Sequence, residues 1–420
     1  MNPHVNLLII GAGPAGMAAA LAAAPTGMRI AILDDNPQPG GQIWRDGPQS
    51  ELPAHASEMR AQLEQYANIQ VHSGTKVVAL AGPKRLLLED TEHGWTLGYD
   101  ALILCTGARE RLLPFPGWTL PGVTGAGGLQ ALIKGGLPVN GERIVIAGTG
   151  PLLLASAATA EKNGAAVVRI AEQASWGAVS GFAMGLWRWP NKVAQAFTLA
   201  NGTYRAASHV VAALGTDRLE AVRIKTGQRI EEIPCDRLAC GFSLVPNVEV
   251  ASALGCRIEK QAVAVDEWQA SSVTDLYAAG ECTGFGGSEL ALIEGRIAGL
   301  VASGQQDNAR QWRAERQRWQ RFADALNRAF ALSPTVKQLA TADTLVCRCE
   351  DVPYADLASH SNWTAAKLNT RCGMGACQGR ICATAAQTLF GWEPPPLRPP
   401  FSPARVATLA CLDEAGAPGS

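Results

Sequence analysis

The sequence predicts an α/β protein that combines two Rossmann-like dinucleotide-binding domains with a small, α-rich domain at the C-terminal end. Two glycine-rich turns, each lying between a short apolar strand and a helix, predict the two nucleotide-binding domains. Five of the 11 cysteines fall within 36 residues near the end of the chain, and they predict the third domain.

The composition is that of a protein with several well-buried domains. The chain has 420 residues, of which 47% are hydrophobic and only 17% are charged, below the usual quarter. Its net charge of −1 gives no reason to expect nucleic acid as a partner. The N-terminus lacks a basic signal region, and glycine spacing explains the apolar run at 7–24 better than a membrane span does. We therefore expect a cytoplasmic protein that meets a membrane only through its complex.

The first glycine-rich turn, residues 11–16, follows an apolar strand and opens an alanine-rich helix. We expect Gly11 to make the tight turn, Gly13 to let the backbone approach a pyrophosphate, and Gly16 to let the helix pack on the strand. The helix N-terminus supplies an anion site. The turn is therefore predicted to bind a dinucleotide through Gly11, Gly13, Pro14, Ala15 and Gly16.

A carboxylate should follow the second strand of such a fold, where it accepts a hydrogen bond from a ribose hydroxyl. The second strand ends at Asp34, 23 positions after the first glycine, and Asp35 is a close competitor. The next segment contains Gly41 and Gln42 and resembles the Gly-Gly-Gln loop of flavoprotein reductases, which wraps the flavin.

Two later segments are similar to further parts of a flavin-binding fold. A buried strand ends at Thr106 and Gly107, as in the second dinucleotide-contact turn of two-domain flavoproteins. Another apolar strand leads to Gly280 and Glu281 and resembles the closing FAD motif, in which the acidic residue bonds the ribityl chain. The flavin domain is thus expected to be discontinuous, with the second fold inserted into it.

The strand–turn–helix pattern restarts in the middle of the chain as an internal repeat. Its turn contains Gly148 and Gly150, and its second strand ends at Glu172, one position later than the equivalent of Asp34. Leu153 stands where the third glycine should be, so the helix approaches the strand less closely. The occupant of this fold stays open between NAD, another adenine nucleotide such as ATP, and none.

The cysteine group consists of a Cys-x-Cys pair and a later run with three more cysteines. Four thiolates that converge from two loops suit an iron–sulfur cluster, and neighbouring glycines present amide N–H groups to the sulfurs. We assign Cys347, Cys349, Cys377 and Cys382 as ligands of a [2Fe–2S] cluster, with Cys372 as a spare thiol or substitute ligand. A structural zinc site and disulfides remain alternatives, although zinc more often uses Cys-x-x-Cys pairs, which this chain lacks.

These motifs divide the chain into four parts. They are an FAD-binding domain (1–118 and 251–335), a second dinucleotide-binding domain (119–250), a [2Fe–2S] domain (336–392) and an extended proline-rich tail (393–420).

The order of two dinucleotide folds, Cys-x-Cys and Gly-Met-Gly-x-Cys-Gln-Gly-x-x-Cys resembles the α subunits of heteromeric dye-linked dehydrogenases. That family belongs to the glutathione-reductase-like flavoproteins and includes D-hydroxyproline dehydrogenase, opine oxidases, hydrogen cyanide synthase and heteromeric sarcosine oxidase. The likeness covers nearly the whole chain, including residues 107–111 and 114–123. The cysteine part is similar to the cluster module of bacterioferritin-associated ferredoxin.

The resemblance implies a division of labour within a complex. A β subunit oxidises the C–N bond of a small amino or imino acid at its own FAD, and the α subunit passes the electrons onward. For this chain it implies FAD, a [2Fe–2S] cluster, a second nucleotide and FMN at a subunit interface. The implied partners are the β subunit, a ferredoxin-like γ subunit and a downstream electron acceptor in a hetero-oligomer. D-hydroxyproline or an opine is the favoured substrate.

Two other functions remain open from the residues alone. A self-contained NAD(P)H-dependent FAD/iron–sulfur reductase would use the second fold for nicotinamide. A non-catalytic assembly subunit would bind nucleotides for structure only. No catalytic residue is predicted in this chain, because the sequence contains neither a nucleophile–base pairing nor a candidate substrate base.

Overall fold

The computed structural model describes residues 4–48, 50–393 and 398–416. The chain begins with a buried, leucine- and isoleucine-rich strand of the kind found in parallel sheets covered on both faces. The strands and helices of the first region are β1 His4–Ile10, α1 Pro14–Ala23, β2 Ile30–Leu33, α2 Ala54–Gln65, β3 Ile69–His72, β4 Lys76–Gly82, β5 Arg85–Glu89 and β6 Gly94–Leu104.

These six strands form one sheet in the order β3-β2-β1-β6-β5-β4. Strand β1 runs parallel to β2 and β6, and Ile10 is paired with Leu33 on one side and Leu104 on the other. Because these three residues end their strands, the loops that follow lie side by side at one edge of the sheet. In open α/β sheets this is the edge at which ligands bind.

The second region contains the inserted fold. Its strands and helices are β7 Ala108–Glu110, β8 Val123–Gly125, α3 Ala126–Lys134, β9 Arg143–Thr149, α4 Leu152–Lys162, β10 Ala166–Glu172, α5 Trp176–Gly185, α6 Pro190–Thr198, β11 Tyr204–Arg205, β12 Ser208–Leu214, β13 Ala221–Thr226, β14 Arg229–Pro234, β15 Arg237–Phe242 and β16 Leu244–Pro246. A parallel sheet in the order β11-β10-β9-β15-β8 lies at its centre, with a separate antiparallel sheet of β12, β13 and β14. Strands β7 and β16 pair where the chain enters and leaves the insertion.

The chain then returns to the first sheet. This region comprises α7 Glu249–Ala253, β17 Ile258–Glu259, β18 Ala262–Val263, β19 Leu276–Ala278 and α8 Gly287–Ala302. Strand β19 pairs in parallel with β6, and Ala278 lies opposite Leu104. The residues after β19 therefore reach the same sheet edge as the first glycine turn, and the sheet draws on both segments predicted for the FAD domain.

The last region carries the cysteines. Its elements are α9 Gln306–Arg310, α10 Arg313–Ala329, β20 Leu345–Cys347, β21 Val352–Pro353, α11 Tyr354–Ala358, α12 Trp363–Thr370, α13 Cys382–Phe390 and α14 Val406–Gly416. The cysteine segment has a core of its own, in which Val346, Trp363 and Ala386 are buried. Among the described helices, none is long and apolar enough to cross a membrane.

The prediction of an extended tail over 393–420 is corrected in part. Residues 394–397 and 417–420 of that tail lie outside the described residues, but α14 is helical. Phe401 is buried, and Thr408 Oγ1 donates to the buried Glu89 carboxylate at 2.6 Å. The tail folds because its apolar residues after the prolines find a partner surface on β4 and β5 of the same chain.

Candidate functional site

The first glycine turn and the loop after β2 form a backbone cradle at the N-terminus of α1. Gly11 has φ +105°, and a Cβ built there would lie 2.1 Å from the Cys105 carbonyl oxygen. The N–H of Gly40 donates to the Ala12 carbonyl at 2.8 Å, and a Cβ on Gly41 would lie 3.1 Å from the Gly13 Cα. A side chain on Gly11 would clash with the strand end at Cys105, and one on Gly41 would crowd the first turn, so glycine is needed for the backbone to form this cradle beside the helix N-terminus.

Asp34 and Asp35 have different roles. Asp34 is buried, and its carboxylate accepts hydrogen bonds from the Ala12 N–H at 2.6 Å and from the Asn36 N–H at 2.8 Å. One oxygen therefore holds the glycine turn, and the other holds the loop that follows β2. Asp35 is exposed. Asp35 Oδ1 accepts a hydrogen bond from Asn36 Nδ2 at 3.2 Å, and Asp35 is the more accessible of the two carboxylates; which of them binds a ribose stays a prediction.

Glu281 is half-buried at the same sheet edge, and burial raises the pKa of its carboxyl group. Within the described residues its carboxylate has no hydrogen-bond partner, whereas the preceding Gly280 N–H donates to buried Glu294 at 3.1 Å. The carboxylate can therefore accept a hydrogen bond from a ligand. A ribityl chain carries the hydroxyl groups that would supply it, so the donor set fits FAD.

The turn after β6 is fixed by the segment that follows β16. Thr106 Oγ1 donates to the Asn247 carbonyl at 2.6 Å, and Asn247 Nδ2 donates to the Thr106 carbonyl at 2.8 Å. The N–H of Asn247 also donates to the Gly107 carbonyl at 3.0 Å. The Gln42 side chain, by contrast, is exposed, and its Oε1 atom accepts a hydrogen bond from Arg45 Nη2 at 2.7 Å.

In the second fold, a β-bulge explains why Glu172 is one position late. The pairing of β10 with β9 shifts register between Val167 and Arg169, which adds one residue to β10. Glu172 is consequently the structural equivalent of Asp34. It is fully buried and accepts from the Gly150 N–H at 2.7 Å, so it holds its own glycine turn as Asp34 does. Burial raises the pKa of Glu172 to about 6.

The cysteines converge as a group of three and a neighbouring pair. The sulfur atoms of Cys347, Cys372 and Cys382 all lie within 4.8 Å of one another and are buried. Cys349 is exposed and within hydrogen-bonding reach of the half-buried Cys377. Cys372, predicted as the spare thiol, therefore lies inside the buried group, while the ligand assignment itself stays a prediction.

Hydrogen bonds favour negative charge on one of these sulfurs, that of Cys347. Hydrogen bonds from the thiols of Cys372 and Cys382, together with N–H groups of Gly373 and Glu350, hold the pKa of Cys347 far below its usual range. The N–H of Cys377 also donates to Cys349, but burial and the neighbouring Cys377 thiol raise the pKa of Cys349. Thiolates in a nest of N–H groups suit an iron–sulfur cluster.

A chain of contacts joins the cysteine domain to the predicted flavin turn. Arg109 Nε donates to the Arg380 carbonyl at 3.3 Å, two residues before Cys382. Arg109 Nη1 donates to Asn247 Oδ1 at 2.8 Å, and Asn247 in turn holds Thr106. Neither Arg109 nor Asn247 was predicted as a site residue. The only sequence signal was the position of Arg109 within the 107–111 motif.

A model of the pyridine nucleotide-disulphide oxidoreductase family matches residues 5–307. The chain belongs to this family. The matched part of this pyridine nucleotide-disulphide oxidoreductase contains both glycine turns and ends before the cysteine loops.

Similar proteins extend over the whole chain. Hydrogen cyanide synthase subunit HcnB of Pseudomonas protegens is 32% identical over 90% of both chains. An opine oxidase subunit from Agrobacterium tumefaciens is 31% identical over 98% of this oxidoreductase and 92% of its own length. The crystal structure of L-proline dehydrogenase from P. horikoshii has a TM-score of 0.67 and 18% identity, covering 97% of this chain and 79% of that one.

These matches confirm the family that was expected from the motifs, and with it an oxidoreductase of flavoprotein fold. The resemblance to L-proline dehydrogenase shows the shared fold. For this oxidoreductase, the cluster, its ligand set and the domain boundaries stay predictions.

Proposed function

We propose that this chain is the electron-transfer subunit of a heteromeric flavoprotein dehydrogenase that oxidises the C–N bond of a small amino or imino acid. Substrate oxidation takes place on a partner β subunit, and this chain passes the electrons toward an external acceptor. The observation that carries the proposal is the connection of the cysteine loops to the flavin turn through Arg109.

The chain offers residues for two cofactor sites. The first glycine turn, Asp35 and Glu281 would hold FAD, and Cys347, Cys349, Cys377 and Cys382 would supply the four thiolates of a [2Fe–2S] cluster. When bound, FAD takes up electrons in pairs and the cluster passes them on singly. Around these groups the protein buries the sulfurs of Cys347, Cys372 and Cys382, and the N–H groups of Gly373 and Glu350 donate to Cys347.

The similar proteins support this role within a complex. HcnB and the opine oxidase relative are both named as subunits, and L-proline dehydrogenase is named for an imino acid. We infer a hetero-oligomer that also contains a ferredoxin-like γ subunit beside the flavin-containing β subunit. D-hydroxyproline and opines are the first substrates to test.

The test is to purify the chain without oxygen, together with the proteins that accompany it. Iron, zinc and flavin are determined, and visible and electron-spin-resonance spectra are recorded before and after adding D-hydroxyproline, opines, sarcosine and L-proline. We expect iron and flavin in the protein, with bleaching of both by one of these substrates. Zinc or an absence of iron at the cysteines would overturn the proposal.

The same spectra separate the two alternative functions. Rapid bleaching of the flavin by NADH in the isolated chain would establish an NAD(P)H-dependent reductase. A redox-silent protein with stoichiometric nucleotide would establish an assembly subunit.

A further inference from the structure

The second fold has a residue that corresponds to the ribose-binding position of the first. Because Glu172 is the equivalent of Asp34, the next residue, Gln173, is the equivalent of Asp35. The side chain of Gln173 does not face an open cleft. It is buried, and its amide group contacts the segment between α10 and the cysteine domain, residues 330–333.

Both ends of the Gln173 amide bind the backbone of this segment. Gln173 Nε2 donates to the Ala331 carbonyl at 2.9 Å, and Gln173 Oε1 accepts from the Ser333 N–H at 2.9 Å. Gln173 Nε2 also donates to Thr149 Oγ1 at 3.0 Å, and Thr149 Oγ1 lies 3.1 Å from the Phe330 carbonyl. Thr149 and Gln173 therefore hold the backbone of this segment by hydrogen bonds, as a binding site holds a peptide ligand.

The Phe330 side chain lies beside the turn itself. A Cβ built on Gly150 would lie 3.9 Å from the Cβ and Cγ atoms of Phe330, so this side chain occupies the space next to the glycine that normally faces a pyrophosphate. The Phe330 ring packs edge-on against Phe182 of α5, with centroids 5.3 Å apart. Leu332 packs against the core of the second fold, in which Val336 is buried.

We propose that the second dinucleotide fold binds residues 330–333 of its own chain in place of a nucleotide. Its glycine turn and Gln173 serve as a clamp that fixes the connection to the cysteine domain, and NAD(P)H and ATP do not bind there. This goes beyond the proposed function and does not depend on the cluster. It also removes the nicotinamide site that a self-contained reductase would need.

Nucleotide binding is tested on the purified, FAD-loaded chain. NADH, NADPH and ATP are titrated separately to millimolar concentration, with calorimetry for binding and flavin fluorescence to detect any displacement of FAD from the first fold. We expect no saturable binding. One equivalent of any of the three nucleotides bound without release of FAD overturns the proposal.

The clamp is tested by hydrogen exchange of residues 330–336. Gln173→Ala removes the contacts to Ala331 and Ser333, and we expect exchange there to become about tenfold faster. Gln62→Ala, on the exposed face of α2, is the matched control and should change nothing. Unchanged exchange in a folded Gln173→Ala protein contradicts the proposal. If that variant does not fold, Phe330→Ala is measured in its place with the same expectation and the same contradictory result.

Discussion

Arg109 Nε and the carbonyl oxygen of Arg380 are 3.3 Å apart, and this contact links the turn after β6 to the residues that precede Cys382. Arg109 is anchored on its other side by Glu249 at 2.8 Å. We predict that Arg109→Ala slows electron transfer between flavin and cluster by about ten- to hundredfold, because a small displacement of reacting groups has effects of that size. Stopped-flow spectra of the holoprotein after rapid reduction measure the rate.

The control for Arg109 is Arg223→Ala, which removes an exposed ion pair with Glu232 between β13 and β14. Iron content, flavin content and the electron-spin-resonance line shape should be unchanged in both variants. An Arg109→Ala protein with full cofactors and a normal transfer rate would show that the contact is structural only, while leaving the proposed function intact.

The five cysteines allow a substitution series that separates ligands from the spare thiol. Serine in place of Cys347, Cys349, Cys377 or Cys382 should abolish or sharply reduce bound iron, because each supplies one of four thiolates. Cys372→Ser should retain the cluster with a perturbed spectrum, because its sulfur lies within 4.8 Å of those of Cys347 and Cys382. Iron analysis and electron-spin-resonance spectra of the anaerobic proteins provide the measurement.

One outcome of that series would change the ligand assignment. Loss of iron in Cys372→Ser, with retention in Cys382→Ser, would make Cys372 the ligand. Cys256→Ser is the control, since Cys256 is buried in the core of the first fold.

Asp34 and Asp35 provide a matched pair of Asp→Asn changes. Asp35→Asn should weaken FAD binding by about tenfold with little loss of stability, since it removes one charge-assisted hydrogen bond to a ribose. Asp34→Asn should lower the free energy of unfolding by about 1–3 kcal/mol, because the buried Ala12 N–H loses its ionised acceptor. Reconstitution of the apoprotein with FAD measures FAD binding, and urea unfolding measures stability. Together the two measurements distinguish the Asp34 variant from the Asp35 variant. Weakened FAD binding in Asp34→Asn alone would reverse these roles.

Local sequence requirements made the two glycine turns predictable. Gly11 must adopt a positive φ and lie against Cys105, and Gly148 has a positive φ at the repeated position. The apolar strands that lead into both turns could likewise be predicted from the local sequence. The family, the α/β class and the return of the chain through Gly280 and Glu281 all followed from such short patterns.

What the sequence could not predict depends on contacts between distant segments. The burial of Asp34 against the Ala12 N–H, while Asp35 stays exposed, is a contact that no spacing rule describes. Thr149 and Phe330 are separated by 181 positions, so no local pattern could indicate that the linker occupies the second turn. The place of Cys372 beside Cys347 likewise depends on how two loops meet in space.

Glu172 should make the stability of the second fold depend on pH. Burial raises its pKa to about 6 in the folded protein, compared with about 4.3 in an unfolded chain. The folded state therefore holds the proton more tightly, and the free energy of unfolding should fall by about 2 kcal/mol as pH rises from about 4.3 to about 6. Below this window the group is protonated in both states, and above it the group is ionised in both, so no further change is expected.

Glu172→Gln isolates this contribution, because glutamine does not titrate. In the variant, an amide group replaces the carboxylate that accepts a hydrogen bond from the Gly150 N–H, and this changes the stability at every pH. The stability of the variant by itself therefore does not report the titration of Glu172. The difference in the free energy of urea unfolding between wild type and variant should instead change by about 2 kcal/mol between pH 4 and pH 7, with wild type relatively more stable at the acid end. Glu58→Gln, on exposed α2, is the control. A difference that stays constant with pH would mean that the N–H groups of Gly150 and Ala174 keep Glu172 ionised despite its burial.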